Sequence, residues 1–467
     1  MSAAPSARAA AVLDALRREL DPASIQAGPV DPRHLRDWMV EAEPGSAPVA
    51  LVRARDTAEV SAVMRICDAH GHPVVPQGGL TGLTGGATPV ADCVLLSLER
   101  MNAIESIDPA GSTATVQAGA TLQAVQDAAE AAGLLFALDI GARGSCLVGG
   151  NTATNAGGNR VLRFGMMREL VLGLEAVLPD GTVISAMNAM LKNNAGYDLK
   201  QLFIGSEGTL GVVTRLVLRL HPLPRSTCTA LVALPDYAGV VALLRLARER
   251  LGPTLAAFEA MWPDFYAFAA ARMSVAPPLP PSGALHVLVE SMGTDPSHDQ
   301  AQFEATIAEA IESGIVSNAV VAQSERERRA IWTVRDQSSE LKRAFSPHVD
   351  YDVALPVGRI GEFAVACAAR LRAAWPEVGI VVFGHVADGN LHVSVQTRED
   401  RFTKDDCDAI VYGTVADFHG SISAEHGIGL LKKAYLGHSR SEAEIALMRR
   451  IKAAIDPRGI LNPGKVF

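Results

Sequence analysis

The chain has 467 residues, 48% of them hydrophobic and 20% charged, with a formal net charge of -9. That length exceeds one ordinary core and predicts two substantial domains, or one domain interrupted by another, while the composition excludes a disordered chain. The negative balance and the scattered arginines lack the basic run that grips a phosphate backbone, so nucleic acid is not an expected partner.

The opening stretch, MSAAPSARAAAVLDALRREL, places Leu13, Leu16 and Leu20 at helical spacing, which predicts a docked helix rather than a signal peptide. From about Pro48 the runs PVALVRA, PVVPQ, CVLLSL and TATVQAG read as strands, alternating with helices such as the one following Thr57, a good N-cap residue. Glycine is dense between Gly71 and Thr214, in GGLTGLTGGATP, GARGSCLVGGNTATNAGGN and GSEGTLGVV. After HPLPRS, whose prolines mark a boundary near Pro224, longer units take over: CTALVALP, a helix through Leu243 and Leu246, then HVLVESMG. This second region runs to about His419, and SAEHGIG, a helix from Ser441 to Ile455 and the tail PRGILNPGKVF close the chain. No run approaches the ~20 apolar residues of a membrane span. The six cysteines, Cys67, Cys93, Cys146, Cys228, Cys367 and Cys407, form no CxxC pair and read as buried thiols in a reducing compartment. A cytoplasmic protein is expected, with peripheral membrane attachment left open.

Glycine lets backbone approach a ligand closely, and clustered glycines after strands commonly present N–H groups to phosphate. Tight turns alone would explain one such loop. Three together, interleaved with Asn151, Asn155 and Asn159, fit a large, flat, doubly anionic cofactor such as FAD better. Neither GxGxxG opening a helix nor GxxxxGK[ST] is present, so the loops are not of Rossmann or P-loop type.

VVFGHVADGNLHVSV reads as two strands joined by a turn over Ala387, Asp388, Gly389 and Asn390. If Val386 pairs with Leu391, His385 stands opposite His392, where directly paired Cβ atoms lie ~4.5–5.5 Å apart and two imidazoles reach one metal. Glu425 and His426 are adjacent and point in different directions, beside the small Gly427 and Gly429. Glu425 can complete a two-His, one-carboxylate site while His426 serves as a base near neutral pH; read blandly, the two form an exposed polar pair.

These segments resemble a known family. The glycine loops are similar to the flavin domain of the vanillyl-alcohol oxidase and p-cresol methylhydroxylase superfamily. HVADGNLH and SAEHGIGLLKKAYL are similar to the paired signatures of its FAD-linked D-2-hydroxyacid dehydrogenases, which include D-lactate and D-2-hydroxyglutarate dehydrogenases and the glycolate oxidase catalytic subunit. The resemblance implies an α+β fold, with a p-cresol methylhydroxylase-type FAD-binding domain over 48–224 and a substrate (cap) domain with an antiparallel sheet over 225–419. Residues 1–47 would form a helical amino-terminal segment, and 420–467 would return to the FAD domain carrying the EH pair. FAD, bound non-covalently, would contact Pro76, Gly78, Gly79, Thr81, Gly82, Leu83, Gly85, Gly86, Gly144, Ser145, Gly149, Gly150, Asn151, Asn155, Gly157, Gly158, Glu207, Gly208, Gly211, Val213 and Asn462. The first loop holds no His for covalent attachment, and Cys146 reads as a packed residue. His385, His392 and Glu425 would hold a divalent metal, zinc or manganese, with His426 as the base. Arg335 would anchor the substrate carboxylate, helped by Ser339 and Ser394.

The implied reaction oxidises a small D-2-hydroxy acid, passing a hydride to flavin N5 and then electrons to an external acceptor such as electron-transfer flavoprotein or a quinone; a homodimer is expected. Two positions depart from the D-2-hydroxyglutarate pattern: Asp350 stands where Lys is common and Ser394 where Asn is common. Both argue against tight binding of a dicarboxylate unless another cation compensates, so D-lactate or another monocarboxylic acid stands level with D-2-hydroxyglutarate. Two rival readings are a metal-dependent hydrolase, which leaves the glycine loops unexplained, and a non-catalytic flavin-binding subunit, which has no need of the metal cluster.

Overall fold

The computed structural model describes residues 6–345, 347–399 and 401–467. Its chain divides into two units, the first comprising the chain up to Gly158 with Gly165–Leu223 and Glu425–Phe467, the second Asn159–Phe164 with Pro224–Ala424.

In the first unit, helix Ala7–Glu19 starts on the Ser6 hydroxyl, which accepts the Ala9 amide, and buries Ala9, Val12 and Leu16. A four-stranded sheet runs Ile25–Ala27, Ala50–Arg53, Val94–Ser97, Val74–Gln77. Its last three strands are parallel and the first is an antiparallel edge. Val94–Ser97 is buried at every residue, as expected of a central parallel strand covered on both faces. Helix Thr57–Ala69 is capped by Asp56, whose carboxylate accepts the Glu59 amide at 2.9 Å. Thr57, expected in that role, instead donates its hydroxyl to Glu175 at 2.6 Å. An anion satisfies the helix N-terminus better than a hydroxyl, because it also opposes the positive end of the dipole.

A second, five-stranded antiparallel sheet orders Ile104–Asp108, Thr113–Gln117, Val212–Arg219, Val171–Val177 and Val183–Ala186. The chain end returns to the first sheet: Leu461 bridges Val74 in parallel, and the Asn462 amide donates to the Val74 carbonyl at 2.8 Å. The Asp456 carboxylate fixes this tail by accepting the Ile460 and Leu461 amides at 3.0 and 2.8 Å.

The second unit is built on a seven-stranded antiparallel sheet ordered Asn318–Val321, Ser226–Leu234, Leu285–Gly293, Leu255–Met261, Gly379–Gly384, Asn390–Gln396, Val349–Ala354. Leu285–Gly293 and Leu255–Met261 are buried throughout, so both faces are covered. Helices Pro263–Ala270 and Glu325–Asp336 pack one face through Phe265, Tyr266, Ile331 and Val334 against Leu231, Met261, Leu288 and Phe383. Phe265 and Phe383 stack with centroids 4.5 Å apart.

The short segment Asn159–Phe164 joins this unit by charge. Arg160 reaches Glu290, fully buried in its strand, at 3.4 Å, and the same carboxylate accepts from Trp332 Nε1 at 2.7 Å and Thr229 Oγ1 at 3.0 Å. Removing one partner of a buried charge pair strands the other, so Glu290→Ala is expected to cost about 3–5 kcal/mol in urea unfolding. A loss under about 1 kcal/mol would contradict this role, being the range of a surface pair.

Candidate active site

The first unit holds a cleft of about 810 Å³, within the size range of cofactor sites. Its walls are the three glycine segments: Pro76, Gly78, Gly79, Thr81, Gly82, Leu83 and Gly86 from the first, Ser145, Gly149, Gly150, Asn151 and Gly157 from the second, Glu207, Gly208, Gly211 and Val213 from the third. Glu425 and His426 also line it. The glycines act in two ways. A β-carbon at Gly79 would overlap the Ser145 carbonyl, so this glycine lets the first two segments touch, whereas one at Gly150 would meet nothing within 4 Å. Leu80 and Glu207 are held at φ of 58° and 53°, the left-handed backbone that non-glycine residues adopt mainly where surroundings enforce it.

The residues fit a flavin dinucleotide on one further observation: the buried Asn151 Oδ1 has no hydrogen-bond partner among the described residues. A buried acceptor left unpaired is costly and calls for a donor from a ligand. Cys146 is buried in the same wall, where burial pushes its thiol up and away from the nucleophilic thiolate.

Five residues expected at the cofactor lie outside the lining of this cleft: Gly85, Gly144, Asn155, Gly158 and Asn462. Gly85, at φ of 82°, donates its amide to the buried Asp37 carboxylate at 2.6 Å. Asn155 accepts from the Arg168 amide at 2.9 Å, and Gly158 gives room to the Asp139 carbonyl. Asn462 donates to the carbonyls of Gly86 at 3.0 Å and Glu207 at 2.8 Å, joining the chain end to two glycine segments. Gly144 has open space around it.

Glu207 carries a second role that the sequence leaves hidden. Its carboxylate accepts the amides of Ile428 at 2.7 Å and Gly429 at 2.8 Å, just beyond Glu425 and His426. Burial pushes this carboxyl up, and the two amides with Lys432 and Lys465 oppose the rise. Gly427, at φ of 80°, is needed here because a β-carbon would come within 2.8 Å of Glu207 Oε1. Thr84 adds a bond from its hydroxyl to the His426 carbonyl at 3.3 Å.

In the second unit, His385 and His392 lie with ring centroids 5.5 Å apart and planes at 82°. The expected register is corrected: His392 pairs with Phe383 on one side and Asp352 on the other, and His385 lies beyond the strand Gly379–Gly384. The Asp388 and Gly389 amides turn back to the carbonyls of His385 and Val386, so the reversal starts two residues earlier than Asp388-Gly389 alone suggests. Because side chains alternate, His385 shares the face of Phe383 and meets His392 diagonally.

His385 Nδ1 lies 2.6 Å from Glu259 Oε1, which makes Nδ1 the donor and leaves Nε2 as the basic nitrogen. The other Glu259 oxygen accepts Arg335 Nε at 2.8 Å, while Arg335 NH2 stands 3.5 Å from His385 Nε2. Burial alone would push the Glu259 carboxyl up, but His385 and Arg335 hold it well below the ordinary carboxylate range. Glu259 went unnoticed in the sequence; its only signal is a lone acid inside the apolar strand Leu255–Met261. Ser339 does not join Arg335: exposed, it donates to the Asp336 carbonyl at 2.9 Å, the local back-bond of a helical serine, and Ser338 accepts from Arg335 NH1 at 3.2 Å. Ser394 is buried and donates to Asp350 at 2.6 Å.

Comparison with known proteins gives two family matches, to "FAD binding domain" over residues 48–186 and to "FAD linked oxidases, C-terminal domain" over 223–466. The chain is 40% identical to the mitochondrial D-2-hydroxyglutarate dehydrogenase of Bos taurus over 94% of its length and 80% of that protein. It is 39% identical to the D-2-hydroxyglutarate dehydrogenase of Xanthomonas citri pv. viticola over 97% of its length and 94% of that protein. Among solved structures, p-cresol methylhydroxylase with substrate bound superimposes with a TM-score of 0.78 at 18% identity, covering 99% of this chain and 97% of that one. The fold is therefore α+β of the p-cresol methylhydroxylase type, and the hydrolase and inert-subunit readings find no support among these relatives. With a family match over more than half of its length and relatives at this identity over nearly all of it, the chain belongs to the FAD-linked oxidases, alongside D-2-hydroxyglutarate dehydrogenases.

Proposed function

We propose that this protein is an FAD-dependent dehydrogenase of D-2-hydroxy acids. The observation that carries the reading is the single cleft wall on which Glu425 and His426 join the glycine segments, so that a basic side chain borders the cofactor cradle. FAD, when bound, supplies the two-electron acceptor. Cys146, with its thiol pushed up by burial, supports a non-covalent cofactor.

His426 is the base that takes the proton from the substrate hydroxyl, in a loop that Glu207 and Thr84 hold at fixed backbone positions. Arg335 is the carboxylate anchor, its guanidinium oriented through Nε by Glu259 and through NH1 by Ser338. His385 and His392 are proposed metal ligands, and the sequence pattern adds Glu425 as the third. The donor set supports a cation: a carboxylate behind Nδ1 of His385 is the usual way a protein orients an imidazole ligand. Bound there, zinc or manganese would supply Lewis acidity to the substrate oxygens.

Reoxidation falls to an external carrier, electron-transfer flavoprotein or a quinone, since the chain carries no motif for a second redox centre. All six cysteines are free and buried, which supports a reducing compartment such as the cytoplasm. No described helix is long and apolar enough to cross a membrane.

Three measurements test these roles. The purified protein should show flavin absorbance that bleaches anaerobically with a D-2-hydroxy acid, and His426→Ala should keep its flavin yet lose about 10²–10⁴ in turnover. Near-normal turnover in that variant would remove His426 from the chemistry. Glu259→Gln should weaken zinc binding about 10–100-fold in a chelator competition while flavin content stays unchanged. Unaltered zinc affinity would leave Glu259 a purely structural residue.

A further inference from the structure

The turn over residues 85–88 carries Gly86 and Ala87 on the wall of the cofactor cleft, and it closes on a bond from the Thr88 amide to the Gly85 carbonyl at 3.2 Å. A different side chain holds the backbone of each of its four residues. Asp37 accepts the Gly85 amide at 2.6 Å, and Asn462 donates to the Gly86 carbonyl at 3.0 Å. Gln77 donates to the Ala87 carbonyl at 3.0 Å, and Lys465 Nζ donates to the Thr88 carbonyl at 2.7 Å.

Lys465 enters this arrangement twice. Its Nζ also lies 3.4 Å from Asn462 Oδ1, which leaves the Asn462 amide nitrogen aimed at the carbonyls of Gly86 and Glu207. The lysine is 2% exposed, and among the described residues both of its hydrogen-bond acceptors are neutral oxygens. A buried ammonium so placed is costlier than an apolar side chain of the same length, so packing alone gives no reason for it. Backbone strain marks the same segment: on either side of Lys465, Asn462 and Val466 stand at φ of 44° and 71°, and left-handed backbone at a β-branched residue persists only where surroundings enforce it. Lys433 Nζ holds the Gly464 carbonyl at 2.9 Å, and the Val466 amide donates to the Gly429 carbonyl at 3.0 Å, in the loop of Glu425 and His426.

We propose that Lys465, which lies outside the cleft lining, is a positioning residue for FAD, its ammonium holding the turn over residues 85–88 and Asn462 in the geometry that retains the flavin. The inference rests on the FAD reading of the cleft and not on the identity of the substrate. The same group makes retention depend on pH. Burial pushes the Lys465 ammonium down to about 8, with Lys433 adding to the fall and Cys93, Asp37 and Glu207 opposing it. Above that pH the folded protein holds a neutral amine, whose bonds are weaker, and the buried Asp37 and Glu207 lose a nearby positive charge. Retention is therefore highest below about pH 8 and declines as the pH rises through it.

The test follows flavin release from the holoenzyme, read as the fluorescence gained on dilution, between about pH 6.5 and 9.5. Wild-type protein should release flavin about tenfold faster at the upper end than at the lower, the worth of one charged hydrogen bond. Lys465→Met, which keeps the stem and removes the charge, should release it about tenfold faster already at the lower end and show no step. Lys465→Arg, charged throughout this range, should restore slow release without the step. The wild-type profile needs no variant and carries the test where either variant fails to fold. A lysine that only stabilises the fold would lower the melting temperature of Lys465→Met and leave flavin release from the folded protein unchanged. That result, a flat wild-type profile, or a step that survives in Lys465→Met overturns the proposal. If the purified protein carries no flavin, the FAD reading falls and this inference with it, an outcome distinct from flavin that binds and leaves without regard to Lys465.

Discussion

The two hydrogen bonds that the Ile428 and Gly429 amides donate to the Glu207 carboxylate are the constraint on which the first unit's site depends. Glu207 belongs to the third glycine segment, its own carbonyl accepts from Asn462, and Asn462 also reaches Gly86 in the first segment. One residue in left-handed backbone therefore joins the cofactor cradle, the EH loop and the chain end. A buried carboxylate is costly unless its oxygens are occupied. Here the amides occupy them and Lys432 and Lys465 lie nearby, so the charge is tolerated and the geometry of the loop follows from it.

The second unit uses the same device with opposite contents. Glu259, also buried, faces one imidazole and one guanidinium instead of backbone amides. The consequence is chemical as well as positional. A carboxylate on Nδ1 selects the histidine tautomer with a basic Nε2, and the other oxygen, together with Ser338, restrains the rotation of a long arginine. Both carboxylates stand on rigid parts of the fold, one in a packed turn and one in the middle of a buried strand, which suits groups that must hold others to fractions of an ångström.

What the sequence revealed and what it hid follow from this division of labour. Polar residues among glycines, such as Glu425 and His426, stand out because nothing else explains them there, and the three glycine segments do converge on one cleft. Strands and helices with clear periodicity emerge near their expected places, as with Leu285–Gly293 and Glu442–Ile455. The hairpin register is not legible in the sequence because Asp-Gly marks a turn without fixing its length, and a change in loop length moves His385 from a direct to a diagonal neighbour of His392. Ser338 and not Ser339 reaches Arg335 because the chain passes into a 3-10 helix at Gln337–Glu340, where an i+3 partner replaces i+4. Glu259, inside an apolar strand, and the bond from Glu207 to the EH loop are hidden more deeply, since neither leaves a local sequence pattern.

The Asp350–Ser394 pair illustrates why single positions mislead when read one at a time. Along the sequence they are two separate departures, 44 residues apart, each tolerable alone. In the sheet they face each other across one register step and share a hydrogen bond. A serine in that place gives Asp350 the donor that fixes it, and Asp350 gives the buried serine its acceptor, so neither substitution makes full physical sense without the other. Truncating Asp350 to alanine would leave a buried hydroxyl without its acceptor, and truncating Ser394 would leave an open carboxylate without its aim. The pair is therefore one structural feature, and the charge it presents is a property of the sheet face and not of either residue.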